Sequence, residues 1–329
     1  MNEVPLTLAI SDYDHVRDLT SGRVRAEGIA LTCLDLTIPE IFARFTAHRE
    51  WDVSEIGLGK YVALRSQGDD AMIAIPVFPS RIFRQSAIYV LASSKLEDAR
   101  ELAGKRVGLP EWAQTAAIYC RGWLAHDCGV DLASIEWHQA GVDEAGRREK
   151  VALELPDGVR VVPRPETSLN ELLLGGGVDA IMTAQPPGAF VARDPGVRRL
   201  LRDPLTVERR YWEQTGVFPI MHTVAITREA LAAHPWIAVN LLSAFEAAKK
   251  RSLARAVDPA GARFPIPWST TYAEEARAKH GADFWPYGVE ANRVTLDAFL
   301  GFAHEQGVTQ RRLAPEDLFA PTTLEALRV

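Results

Sequence analysis

Several side chains in this sequence suit chemistry on a small anion. Arg81 and Arg84 lie in the short link Pro79-Ser80-Arg81-Ile82-Phe83-Arg84-Gln85 between two strand-like stretches. Guanidinium forks bind carboxylates in two-pronged fashion and stay charged at any relevant pH. An exposed pair bridging to Asp or Glu is the plainer reading. Trp112, Ala113, Gln114 and Thr115 fall where a strand turns into a helix, so the free N–H groups at the helix start make a second anion site. Trp112 can stack on a ring or simply plug the packing between lobes. His222 lies in a strand-like stretch and titrates near neutral pH, so it can take and give a proton. Histidines within strands are also common as hydrogen-bonded core residues. His15, at the start of a helix, is its rival and is expected to be exposed.

These residues need a scaffold. Leu6 to Ile10, Leu31 to Leu36, Asp52 to Gly59, Ile73 to Phe78 and Ser86 to Ala92 read as strands or strand-turns separated by helical stretches. A second β-loop-α series follows, with strands at Arg106 to Leu109, Ile135 to Gln139 and Val178 to Met182. Ser168-Leu169-Asn170-Glu171 is a capping box, and its helix stops at Gly175-Gly176-Gly177. That glycine run follows a helix and precedes a strand, the reverse of a phosphate loop. Val217 to Thr227 contains a long return strand, and helices occupy about 235–255, 272–280 and 290–306. Alternating strands and helices predict α/β layers with a largely parallel sheet. Two such series joined by two extended segments predict two lobes: residues 1–93 plus 217–329, and residues 94–216. In open sheets of this kind ligands sit beyond the carboxyl ends of strands. That selects the loops 11–14, 54–59, 110–115 and 183–187, and with them Asp12, Tyr13, Ser54, Glu55 and Gln185.

The totals remove other classes. The 329 residues carry a net charge of -6, which argues against nucleic acid as a partner. The three cysteines, Cys33, Cys120 and Cys128, show no CxxC spacing and no metal or disulfide pattern. No apolar run approaches membrane-spanning length, and the N-terminal stretch lacks a secretory signal, so a cytoplasmic location is expected. No metal-binding or cofactor motif is present.

Several stretches together resemble the 4,5-dihydroxyphthalate decarboxylase family. They are Asp12-Tyr13-Asp14, Asp52-Val53-Ser54-Glu55, Phe83-Arg84-Gln85-Ser86, Arg106-Val107-Gly108, Pro110-Glu111-Trp112, Phe218-Pro219-Ile220-Met221-His222, and the run from Trp285-Pro286-Tyr287 to Asn292-Arg293. They run through nearly the whole chain in order. Gln85 stands where the pattern has His, and Gln185 precedes Pro186-Pro187 where an Arg is expected.

The resemblance implies a two-lobed, type II periplasmic-binding-protein-like fold with its ligand cleft between the lobes. It also implies a cofactor-independent decarboxylase whose substrate is a small aromatic carboxylate, with no metal, no nucleic acid, no membrane and a possible homo-oligomer. Arg81 and Arg84 would hold the carboxylates, Arg84 first because the motif includes it. His222 would transfer a proton. Glu111 would protonate the ring carbon if burial raises its pKa. Asp12, Tyr13, Ser54 and Glu55 would reach ring hydroxyls, and Tyr287 and Asn292 would complete the wall of the first lobe. A solute-binding protein of the same fold is the alternative, because fold does not fix function. The enzymatic reading requires Arg84, Trp112 and His222 to meet at one pocket.

Overall fold

Short apolar strands alternating with amphipathic helices produce two sheets rather than one. The computed structural model describes residues 3–324. The strands are β1 (Val4–Ala9), β2 (Ile29–Leu34), β3 (Val53–Gly57), β4 (Met72–Ile75), β5 (Ile88–Leu91), β6 (Arg106–Leu109), β7 (Glu136–Gly141), β8 (Arg160–Ser168), β9 (Ala180–Met182), β10 (Val197–Arg199) and β11 (His222–Thr227). The helices are α1 (Asp14–Thr20), α2 (Ile38–His48), α3 (Leu58–Ser66), α4 (Thr115–His126), α5 (Leu169–Leu174), α6 (Gly188–Val191), α7 (Pro204–Thr215), α8 (Arg228–Ala233), α9 (Ile237–Ala256), α10 (Ser269–His280) and α11 (Arg293–Glu305).

The first sheet has the order β2-β1-β3-β11-β4 and the second β10-β5-β9-β6-β7-β8. Both contain parallel ladders, and β11 enters the first sheet antiparallel to β3 and β4 after the chain returns from the second. The strand β5 pairs with β9 and β10, so it belongs to the second sheet. The first crossing therefore lies between β4 and β5, ahead of the boundary expected at residue 93. The return strand is shorter than the stretch 217–227. It starts at His222, because Pro219 has no N–H to give a ladder and Arg81 takes the Phe218 carbonyl. The strand β8 has no counterpart in the sequence reading, since Pro163 and Pro165 argue against a strand. It forms at a sheet edge, where a missing N–H costs little.

The C-terminal helices tie the two halves together. Asp18 on α1 is buried and accepts from Arg251 (2.5 Å) and Arg255 (2.7 Å) on α9. Beyond α11, the Gln306 carbonyl accepts the Trp112 indole N–H at 2.7 Å. The Gln306 side chain accepts from Arg121 Nε on α4 at 2.9 Å and donates to the Ile118 carbonyl at 3.0 Å. The start of α3 also meets the loop before α4: the Gly59 N–H donates to Thr115 Oγ1 at 2.9 Å. All three cysteines are free thiols. No described helix is long and apolar enough to cross a membrane.

A Cβ at Gly59 would fall 2.4 Å from the Ala113 carbonyl oxygen and 2.9 Å from Ile118 Cδ1. The first of these is backbone and cannot swing aside. Gly59→Ala is therefore expected to destabilise the fold by about 1–3 kcal/mol, the range for forced overpacking. Chemical denaturation checks this, and unchanged stability would mean that the two helix starts are not held against each other.

Candidate active site

The site is built from strand register. In β3, successive side chains alternate, so Glu55 and Gly57 share one face while Ser54 and Ile56 share the other. The β11 register sets His222 opposite Gly57 and Val224 opposite Glu55. His222 and Glu55 are thus diagonal neighbours on one face, within reach of long side chains. Their contact is close: His222 Nδ1 lies 2.6 Å from Glu55 Oε1. The Tyr13 hydroxyl, from the loop after β1, donates to the same oxygen at 2.6 Å. The Ser11 backbone N–H donates to Oε2 at 2.9 Å.

Glu55 is fully buried. Burial alone would raise its pKa, but hydrogen bonds and charge from His222, then the Tyr13 hydroxyl and the Ser11 N–H, outweigh it and hold the carboxyl below its usual value. An ionised carboxylate only accepts, so the hydrogen in the Glu55–His222 contact sits on Nδ1. His222 Nε2 has no hydrogen-bond partner among the described residues and is not sealed in the interior. Burial, followed by the charge of Glu55, raises the Tyr13 pKa, so Tyr13 stays a neutral donor.

Around His222 the walls come from elements distant in sequence. Phe42 of α2 meets the imidazole edge-on, with ring centroids 4.9 Å apart. Gly57 leaves space there: a Cβ would stand 3.4 Å from Phe42 Cε2 and 3.6 Å from Thr115 Oγ1. Thr115 opens α4 from the second lobe, and Gln114 before it keeps a buried Oε1 with no partner. A surface recess of about 310 Å³ lies elsewhere. Its lining includes Lys105, Arg106 and Asp179, at the amino-terminal ends of strands and opposite the expected ligand end.

The two arginines separate. Arg81 is buried and donates to the Phe218 carbonyl (2.9 Å), the Pro286 carbonyl (2.7 Å) and Asn292 Oδ1. Its guanidinium braces the two crossing segments, leaving no fork for a ligand. Arg84 donates to Met221 Sδ at 3.1 Å and to the Ala184 carbonyl at 3.2 Å, and forms no ion pair among the described residues. Met221 precedes His222, and Ala184 follows β9, so Arg84 lies where crossing segments and strand ends meet.

Other expectations are corrected. Trp112 is buried beneath Arg121, whose guanidinium sits 3.7 Å from the indole centroid, and it packs edge-on against Trp137. It holds α4 to the C-terminal helix instead of facing a ligand, so Arg84, Trp112 and His222 do not all meet at one pocket as expected, and an enzymatic reading has to rest on His222 and Arg84 without it. Glu111 pairs with Arg147 at 2.8 Å and lies 3.8 Å from both Lys60 and Lys150. Three basic side chains surround it, and it serves as an ion-pair partner. Asp12 is exposed and bound to Arg17 through both oxygens. Ser54 is buried, its hydroxyl turned to the Glu55 carbonyl. Glu55 is too enclosed to touch ring hydroxyls. Tyr287 is buried beside Phe78 and Lys249, in the body of the first lobe. Asn292 is engaged with Arg81 and the Pro286 and Gly288 carbonyls. His15 is largely buried beside Tyr13 and Trp285, and burial pushes its pKa down to about 4. Gln185 is exposed beyond β9. The sequence reading missed Phe42 as a site residue, because it sits in a helical apolar stripe that reads as core.

A 4,5-dihydroxyphthalate decarboxylase of Comamonas testosteroni is 34% identical over 330 residues, spanning the whole of both chains. The chain belongs to the 4,5-dihydroxyphthalate decarboxylase family. A second member, from Pseudomonas putida, is 37% identical over 205 residues, 62% of this chain and 80% of that one. No family model matches the sequence. Among solved structures, a putative periplasmic sulfonate-binding protein SsuA of Methylobacillus flagellatus superposes with a TM-score of 0.56 at 12% identity, over 98% of this chain and 93% of that one. SsuA of Escherichia coli gives 0.54 at 11%, over 98% and 99%. The desulfurization enzyme DSZB gives 0.50 at 14%, over 97% of each. The family member thus has a periplasmic-binding-protein-like fold. Among the described residues no cluster of three or more His, Cys, Asp or Glu is arranged around a metal position.

The two arginines should respond differently to substitution. Arg81→Met leaves the Phe218 carbonyl and Asn292 Oδ1 without their donor and is expected to cost about 3 kcal/mol or more of stability by denaturant titration. Arg84→Met is expected to weaken phthalate binding about tenfold to a hundredfold by calorimetry, the loss of one or two charge-assisted bonds. Equal affinity in the Arg84 variant would remove it from the site.

Proposed function

We propose that this protein decarboxylates 4,5-dihydroxyphthalate to protocatechuate and carbon dioxide, with His222 transferring the proton. The observation that carries the reading is the imidazole held by a buried carboxylate, its Nε2 unpartnered among the described residues and its ring against Phe42. Membership of a family whose relatives bear that name supports the substrate class.

In this substrate each carboxylate-bearing carbon is para to a hydroxyl. His222 Nε2 takes the proton from that hydroxyl, and the oxygen's electrons move through the ring to the para carbon. That carbon takes a proton from a water molecule, which leaves as hydroxide and is neutralised by the solvent, and becomes tetrahedral. The bond to the carboxylate then breaks, carbon dioxide leaves, and its electrons restore the aromatic ring as the hydroxyl recovers its proton from His222. One proton is consumed overall. The ring is its own electron sink, so the reaction runs without a cofactor. Arg84 supplies positive charge for a carboxylate, Phe42 an apolar edge for the ring, and Gln114 Oε1 an acceptor for a hydroxyl.

Purified protein given 4,5-dihydroxyphthalate is expected to release carbon dioxide and form protocatechuate. Binding without turnover at high protein concentration would instead support the solute-binding alternative. His222→Ala is expected to lower kcat about 10²–10⁴-fold while ligand affinity stays within a few-fold, as for loss of a general base. Full turnover in that variant would refute the role.

A further inference from the structure

Glu55 contributes more than an anchor for the ring. We propose that Glu55 is the positioning residue that decides which nitrogen of His222 works, keeping the proton on Nδ1 so that Nε2 is the atom facing substrate. The inference rests on His222 as the proton-transfer group, and its geometry is independent of what the substrate is.

The three donors on Glu55 are not equivalent. Oε1 is shared by Tyr13 and His222, and both of these can change their hydrogen bonding. An imidazole has two tautomers, and the Tyr13 hydroxyl, whose oxygen also lies 3.4 Å from His222 Nδ1, can rotate its hydrogen and can accept as well as donate. Oε2 is different, because it accepts from the backbone N–H of Ser11 at 2.9 Å. A backbone N–H cannot rotate and cannot accept.

This asymmetry fixes what an amide would do in the same place. In Glu55→Gln the amide NH₂ cannot occupy the Oε2 position, where it would meet the Ser11 N–H donor to donor. The amide oxygen must take that side, so the NH₂ lies at the Oε1 position and points its hydrogens at His222 Nδ1 and the Tyr13 oxygen. Nδ1 must then accept, and the imidazole hydrogen moves to Nε2. The shape of the site is kept, charge burial is relieved, and the working nitrogen loses its lone pair. Substitution of a carboxylate that orients a catalytic histidine by its amide costs on the order of 10⁴ in kcat through this tautomer change.

The test uses the full-length protein labelled with ¹⁵N-histidine, as wild type and E55Q. Two-bond ¹H–¹⁵N spectra at a pH where the His222 ring is neutral report the tautomer without any substrate. The expected result is hydrogen on Nδ1 in the wild type and on Nε2 in E55Q, with kcat on 4,5-dihydroxyphthalate lowered about 10³–10⁴-fold and KM changed little. A wild-type ring carrying its hydrogen on Nε2 overturns the proposal, and that spectrum decides the matter even if E55Q does not fold. Inversion of the tautomer with unchanged kcat overturns it too, since Nε2 would then not be the working atom. A wild type that shows the Nδ1 tautomer but turns over no 4,5-dihydroxyphthalate sinks the decarboxylase reading and leaves the tautomer control standing.

Discussion

A fully buried carboxylate organises the centre of this protein. Removing the charge of Glu55 from water costs several kcal/mol, roughly, unless donors replace the lost solvent. Three donors meet that demand, two from the loop after β1 (the Ser11 N–H and the Tyr13 hydroxyl) and one from the first residue of β11. Satisfying one anion therefore sets the end of β1 and β3 against the start of the return strand. The same bonds give His222 a fixed orientation and a fixed tautomer. Stability and chemical competence arise here from one set of contacts.

A second constraint holds the two lobes. Their separation into two sheets invites hinge motion, yet several buried polar groups cross between them. Trp112, Arg121 and Gln306 form one such group, and the crossing segments are braced by Arg81. Arg121 and Arg81 are cations buried without carboxylates, held by carbonyls, a side-chain amide oxygen each and aromatic faces, with Arg121 Nη1 and Arg81 Nε left without partners. Burial holds both guanidinium groups below their usual values, to about 9 for Arg121 and about 10 for Arg81. Their planar forks suit carbonyl networks as well as carboxylate ligands, which is why residue type alone misassigned Arg81.

The same ambiguity explains the other displaced site residues. Trp112 and Tyr287 have the chemistry of ring-binding side chains, but large aromatic groups gain more by full burial than by partial exposure in a cleft. Glu111 follows a strand end as a proton donor should, but three basic side chains converge on it from segments that sequence cannot align. Phe42 illustrates the reverse case. Its periodic spacing on α2 reads as core, and only the tertiary packing shows that its ring meets His222 edge-on.

The sequence by itself determined the layered α/β class, most strands and helices, the two series and the family resemblance. These follow from local patterning and from motif runs, which neighbouring residues encode. It did not determine that β5 joins the second sheet, that β8 forms despite its prolines, or that Glu55 serves His222 and not a ligand. Those depend on strand register, since a shift of one residue would turn Glu55 to the opposite face. Register is decided by the pairing of segments about 170 residues apart, and burial by everything packed around them. Tertiary structure alone sets both.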